Sequence, residues 1–114
     1  MTYNLKIKYY LKSSGRNPVL EFIQECSGEI QKDFVDALNL LSSGMVLSMP
    51  LSRNLSSIHI GLHELRLKDR SGQVRVFYYV KKREAIYLLH AIKKKTRELP
   101  KHEIGIVLKR LKEV

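Results

Sequence analysis

Three stretches of this chain, residues 62–68, 74–80 and 85–92, are rich in β-branched, aromatic and aliphatic side chains, and two short polar connectors separate them. A period of two sends successive side chains to opposite faces of a strand. The connectors, Asp-Arg-Ser-Gly-Gln and Lys-Lys-Arg-Glu, are short enough to force neighbouring strands to run antiparallel. Ser71-Gly72 brings turn chemistry to the first hairpin, whereas the second loop is charged and carries no such marker. In the first strand Glu64, Arg66 and Lys68 oppose His63, Leu65 and Leu67; in the second, Arg75, Phe77 and Tyr79 oppose Val74, Val76, Tyr78 and Val80. One face is therefore a core face. The other gathers Arg66, Lys68 and Arg75, and Lys93, Lys94 and Lys95 arrive at the end of the third strand.

Upstream, residues 2–11 alternate and predict a strand that joins this meander. Asn17-Pro18 reads as a helix start, since Asn caps free amides and Pro suits the first helical position. The helix 18–26 places Val19, Phe22, Ile23 and Cys26 on one side, and a second helix, 29–43, repeats Ile30, Phe34, Ala37, Leu38 and Leu41 before a C-capping Gly44. Residues 45–61 show no sustained period and read as a connecting loop. A last helix, 100–112, has an apolar side of Ile104, Val107, Leu108 and Leu111, with Lys101, Glu103, Lys109, Arg110 and Lys112 opposite. Its expected place is over Phe77 and Tyr79, as one wall of a cleft beside Arg66, Lys68 and Arg75. The whole predicts a single α+β domain over residues 1–114. An antiparallel sheet of about four strands carries a helix hairpin on one face and the C-terminal helix on the other.

Composition sharpens the functional side of this picture. Lys plus Arg number 21 against 11 Asp plus Glu, a net charge of +10. Such an excess favours an anionic partner, and cations converging on one sheet face narrow it to a polyanion. One cysteine, Cys26, excludes an intrachain disulfide and any cysteine-rich metal site, and reads as a small buried hydrophobe. No apolar run approaches membrane-spanning length, and the N-terminus alternates where a signal peptide would be continuously apolar, so a cytoplasmic setting without a membrane partner is expected.

Leu62-His-Glu-Leu-Arg66, Val74-Arg75-Val-Phe-Tyr78 and Lys93-Lys-Lys-Thr96, in this order among these elements, resemble the HigB branch of the RelE/ParE toxin superfamily. The resemblance spans nearly the whole chain and is sharpest over residues 62–100. It implies the toxin of a type II toxin-antitoxin pair, an endonuclease of messenger RNA on the ribosome, held in a hetero-oligomer with a helix-turn-helix, HigA-like antitoxin. Cleavage would proceed by attack of a ribose 2′-hydroxyl on the adjacent phosphorus, with neither metal nor cofactor. Such attack needs a proton acceptor, charge to stabilise the phosphorane and a donor for the leaving oxygen. Catalytic roles carry over to Arg66, Lys68, Arg75 and Lys95, with Lys94 next in line, and RNA contacts to Arg70, Lys93 and Lys94. Arg75 is assigned the scissile phosphate because its planar fork matches phosphate oxygens. The departure lies at the C-terminus, where RelE-type members often present a Tyr or an acidic residue and the last helix here has no Tyr. His90 and His102 are the candidate acid and base in its place, while His63 alternates with Leu65 and Leu67 and reads as structural. Three alternatives stay open: a ParE-like inhibitor of gyrase, a non-catalytic phage-derived protein that binds an antitoxin, and, locally, a surface ion pair between Glu64 and Arg66.

Overall fold

The computed structural model describes residues 5–82, 84–95 and 97–114. The start of the predicted first strand, Arg83 of the second hairpin loop and Thr96 of the basic motif lie outside them. Five strands, β1 (Lys6–Tyr9), β2 (Ser52–Asn54), β3 (Leu62–Asp69), β4 (Gly72–Lys81) and β5 (Ala85–Lys94), form one open sheet in the order β1-β5-β4-β3-β2. Three helices, α1 (Pro18–Gln24), α2 (Gly28–Ser42) and α3 (Lys101–Glu113), complete an α+β domain.

Two expectations are corrected. The sheet is mixed, because β1 pairs parallel to β5 while every other pairing is antiparallel. The stretch expected to be a loop contains β2, whose three residues are too few to show a period, and there are accordingly five strands where about four were expected. What holds β2 is tertiary: Ser52 is buried, its hydroxyl lies 2.6 Å from that of Tyr78, and the amide of Arg66 donates to the carbonyl of Leu51 at 2.7 Å.

The helix hairpin forms where the sequence places it. Asn17 Oδ1 accepts from the amide of Leu20 with Pro18 in the first helical position, and Ser27 Oγ accepts from the amide of Ile30. Gly44, at φ +91°, closes α2 in the left-handed conformation that favours glycine. Cys26 falls just past α1 and is only half-buried, its thiol donating to the carbonyl of Phe22. Val19 and Ile23 of α1 and Ile30, Phe34, Ala37 and Leu41 of α2 pack on Leu65, Leu67, Val74, Val76, Tyr78, Ile86 and Leu88. On the opposite face α3 brings Ile104, Val107 and Leu111 onto Leu62, Phe77, Leu89 and Ile92. The last helix thus covers Phe77 and Tyr79 as expected.

A bulge decides which side chains reach the second face. β4 and β5 are in step at Phe77 opposite His90 and again at Tyr78 opposite Leu88, so Leu89 is an extra residue on β5. Leu88 packs under the helix hairpin, whereas Leu89 packs under α3 and His90 stacks on Phe77. Beyond the bulge, alternation resumes one residue out of phase. Ile92 and Lys94 follow His90 onto the α3 side, and Lys93, paired with Val74, faces the other way.

Gly61, just before β3, has φ +86°, and a Cβ there would lie 2.8 Å from the Val80 carbonyl oxygen. The carbonyl of Gly61 also accepts from the amide of Val80 at 2.8 Å, so this is the clamp between the start of β3 and the end of β4. Gly61→Ala is expected to lower stability by about 1–3 kcal/mol, read as a shift in urea midpoint at unchanged slope.

Candidate polyanion site

Rows of residues run across the α3-side face of the sheet. Arg53 of β2, Glu64 of β3 and Phe77 of β4 form one; Arg66, Arg75 and Ile92 the next; Lys68, Gln73 and Lys94 the third. Arg66 and Arg75 are direct cross-strand partners, which like charges tolerate only with a counter-charge or ligand nearby. Beyond the reach of α3 these rows open into a cleft of about 580 Å³, lined by Met49, Arg53, Arg66, Gly72, Gln73, Arg75, Lys94, Lys95 and Arg97. Six of these nine residues are cations and none is acidic.

The floor of the cleft is a buried ion pair. Glu64 is 0% exposed and Arg75 2%, with Arg75 Nε 3.6 Å from Glu64 Oε1. Arg75 Nη2 donates to Gln73 Oε1 at 2.6 Å, while neither oxygen of Glu64 has a hydrogen-bond partner among the described residues. Burial, and then the charge of Arg66, draw the Arg75 guanidinium below its ordinary pKa, against the opposing pull of Glu64. The alternative of a surface pair between Glu64 and Arg66 does not hold: the carboxylate lies beneath the cleft and faces Arg75. Arg66 instead reaches Met49, its Nη1 3.2 Å from the sulfur. At Lys94, burial comes first and then the charges of Arg75, Arg66 and Arg53; together they hold its ammonium below the usual lysine range, with Glu64 pulling the other way.

Of the residues predicted from sequence, Arg66, Arg75, Lys94 and Lys95 come together. Lys68 lies in an adjoining hollow that shares Arg66, Gln73 and Arg75 with the cleft and is also lined by Asp33 and Asp36 of α2. Lys93 lines a separate hollow near Cys26, turned there by the bulge. Arg70 is exposed in the β3–β4 turn, which Asp69 organises by accepting from the amides of Ser71 and Gly72. The wall expected from α3 is supplied instead by Lys95 and Arg97, in the segment after β5.

Neither candidate histidine lines the cleft. His90 is held under α3: Arg110 Nη1 lies 3.2 Å from its Nδ1, and Glu103 takes its Nε2. A guanidinium only donates, so Nδ1 accepts and Nε2 carries the hydrogen given to Glu103. Burial lowers the pKa of His90, in keeping with this neutral tautomer. His102 is exposed in the first turn of α3. His63 stacks on Tyr78, 5.1 Å between ring centroids, on the core side where alternation put it. Arg53 and Arg97 are the site residues that periodicity does not reveal. Arg53 sits on a strand too short to show a period; Arg97 lies in the polar stretch before α3, where only its charge marks it.

No helix among the described residues is long and apolar enough to cross a membrane, and no group of three or more His, Cys, Asp or Glu among them is placed to hold a metal ion. The class defined by this build is a small α+β domain with a mixed five-stranded sheet and a cationic cleft on one face. The family profile described as phage derived protein Gp49-like (DUF891) matches residues 21–112, and the chain belongs to that family. Among curated proteins none matches it.

Two outcomes follow from the buried groups. Glu64→Ala leaves the Arg75 charge buried without its partner and is expected to cost about 3–5 kcal/mol by chemical denaturation, with most of the loss recovered in Glu64→Leu/Arg75→Met. Burial also lowers the His63 pKa, so below about pH 6.5 the unfolded chain binds more protons than the folded one. Stability should therefore fall as pH drops from the unfolded value through the lower folded one; His63→Phe should flatten that fall in thermal melts, leaving the share due to His90.

Proposed function

We propose that this protein binds single-stranded RNA through its phosphodiester backbone, gripped in the cleft by Arg53, Arg66, Arg75, Lys94, Lys95 and Arg97. The observation that carries this reading is the convergence of those six cations on one concavity that no carboxylate of the described residues lines, Glu64 being buried beneath its floor. Guanidinium forks suit phosphate oxygens, and cations held in place by a sheet lose little freedom when an anion arrives. The family supplies a phage-derived background, and binding without cleavage accords with a cleft lined, among the described residues, by neither Tyr nor His.

A second reading, the toxin that cuts messenger RNA on the ribosome and is neutralised by an antitoxin, has one specific observation in its favour. Lys94 is held below its ordinary pKa beside three arginines, which suits a lysine to take the proton of a ribose 2′-hydroxyl while Arg75 and Arg66 stabilise the charge building on phosphorus. Loss of the ammonium proton is the step such crowding eases. A gyrase inhibitor would need none of this chemistry.

Fluorescence anisotropy with a labelled oligoribonucleotide tests the binding. Arg66→Ala and Lys95→Ala are each expected to weaken binding by about tenfold or more, and to make the logarithmic salt dependence shallower by about 0.7 for each phosphate no longer neutralised. Unchanged affinity in both variants would remove the cleft from the account. Primer extension on cellular RNA after induction then separates the readings: new 5′ ends that vanish in Lys94→Met support cutting, intact RNA supports binding alone, and growth arrest with intact RNA and halted DNA supercoiling supports gyrase.

A further inference from the structure

The acidic residues of α3 are both engaged with the body of the protein. Glu103 holds His90, and Glu113 Oε2 accepts from the Tyr10 hydroxyl at 2.6 Å, a bond that raises the Tyr10 pKa. Arg110 is engaged as well, donating to the Leu89 carbonyl and lying 4.9 Å from the centre of the Tyr10 ring. What α3 leaves outward is a line of exposed positions at spacings of four, four and three: Lys101, Gly105, Lys109 and Lys112. Such spacings put all four on one side of a helix. No carboxylate interrupts them, and none of the three lysines is ion-paired among the described residues.

This ridge has a cationic feature at each end. Its first lysine follows Arg97 of the cleft by four residues. Its far end borders a groove of about 950 Å³ at the β1 edge of the sheet, lined by Lys8, Tyr10, Lys12, Tyr87, Lys109 and Arg110 among others. There Lys8 lies 5.9 Å from the centre of the Tyr87 ring, and Glu113, the one acidic side chain lining the groove, is tied to Tyr10. Cations interleaved with aromatic rings are how sequence-tolerant single-strand sites are built, the cations following the backbone and the rings offering stacking faces. The helix dipole accounts for basic residues in the last turn of α3. It does not account for Lys101 at the opposite end, nor for Lys8 and Lys12 on another element.

Gly105 adds an independent sign. A Cβ at this position would meet nothing within 4 Å, so neither packing nor space calls for glycine in the middle of a helix that glycine weakens. Its lack of a side chain leaves the ridge low between Lys101 and Lys109, where a strand crossing the helix comes closest to the backbone. From Lys101 to Lys112 the ridge rises about 17 Å along the helix axis, enough to carry several phosphates past the cleft.

We propose that an RNA strand bound in the cleft continues along the lysine ridge of α3 into the groove at the β1 edge, a path that rests on the RNA reading of the cleft. The footprint is then much longer than the cleft alone would hold. Anisotropy titrations of the full chain with labelled 4-nucleotide and 12-nucleotide RNAs test it in the parent, in Lys12→Ala/Lys109→Ala/Lys112→Ala and in Gly105→Glu, with thermal melts to verify folding. Expected is a weakening of at least tenfold for the 12-mer in both variants, a salt dependence shallower by about 2 in the triple variant because three fewer phosphates are neutralised, and 4-mer binding within twofold of the parent. Equal weakening of both RNAs would overturn the path in favour of general charge. Undisturbed 12-mer binding would overturn it too, and capture of an acidic peptide by the ridge in that case would assign the surface to a protein. Should the parent fail to bind the 4-mer, the cleft reading falls by itself; the 12-mer then shows whether ridge and groove bind RNA without it.

Discussion

The buried contact between Glu64 and Arg75 is the constraint around which the functional face is arranged. A guanidinium taken out of water at the middle of a sheet is tolerable only beside an opposite charge, and Glu64 stands two residues before Arg66 on the neighbouring strand, on the same face. The pair is loose, at 3.6 Å and without a hydrogen bond to either carboxylate oxygen, so it neutralises Arg75 without occupying its fork. One carboxylate also moderates the crowd above it, opposing the charges of Arg75, Arg66 and Arg53 at Lys94. The floor is thus neutral as a unit while the walls stay cationic. A phosphate entering the cleft would meet the walls first and the outward edge of Arg75 last.

The two faces of the sheet divide the labour. The helix-hairpin side is packed with aliphatic and aromatic residues and supplies the larger core, while on the other side α3 covers only part of the surface and leaves the rest open. What α3 covers is also polar: Glu103 takes His90 Nε2, and Arg110 Nη1 reaches both His90 Nδ1 and the Leu89 carbonyl. Those bonds tie the helix to β5 and engage both ring nitrogens of His90. They explain why the histidine singled out as a candidate acid or base belongs to the scaffold.

Much of this is legible in the sequence, and the failures have definite causes. The meander, the helix hairpin with its Asn17 and Ser27 starts, the covering of Phe77 and Tyr79, and the shared face of Arg66 and Arg75 all follow from periods and caps that act locally. β2 escapes such a reading because a three-residue strand shows no period and is held by Tyr78 and Arg66 from far along the chain. Lys93 is grouped with Lys94 and Lys95 for a subtler reason. Leu88 and Leu89 are both apolar, so nothing in the residue types marks one of them as the extra member of a bulge, yet that bulge turns Lys94 toward the cleft and Lys93 away from it. Arg97, in a stretch without regular period, has only its charge to announce it.

The margins of the sheet carry a consequence of their own. β1 and β2, the outermost strands, run four and three residues, and their outward chemistry includes Lys6, Lys8 and Arg53. Strands that brief, studded with like charges, offer a second molecule almost no ladder on which to dock its own backbone. A chain that leaves a broad cationic surface bare is thereby kept from stacking edge to edge at the concentrations its own synthesis would reach.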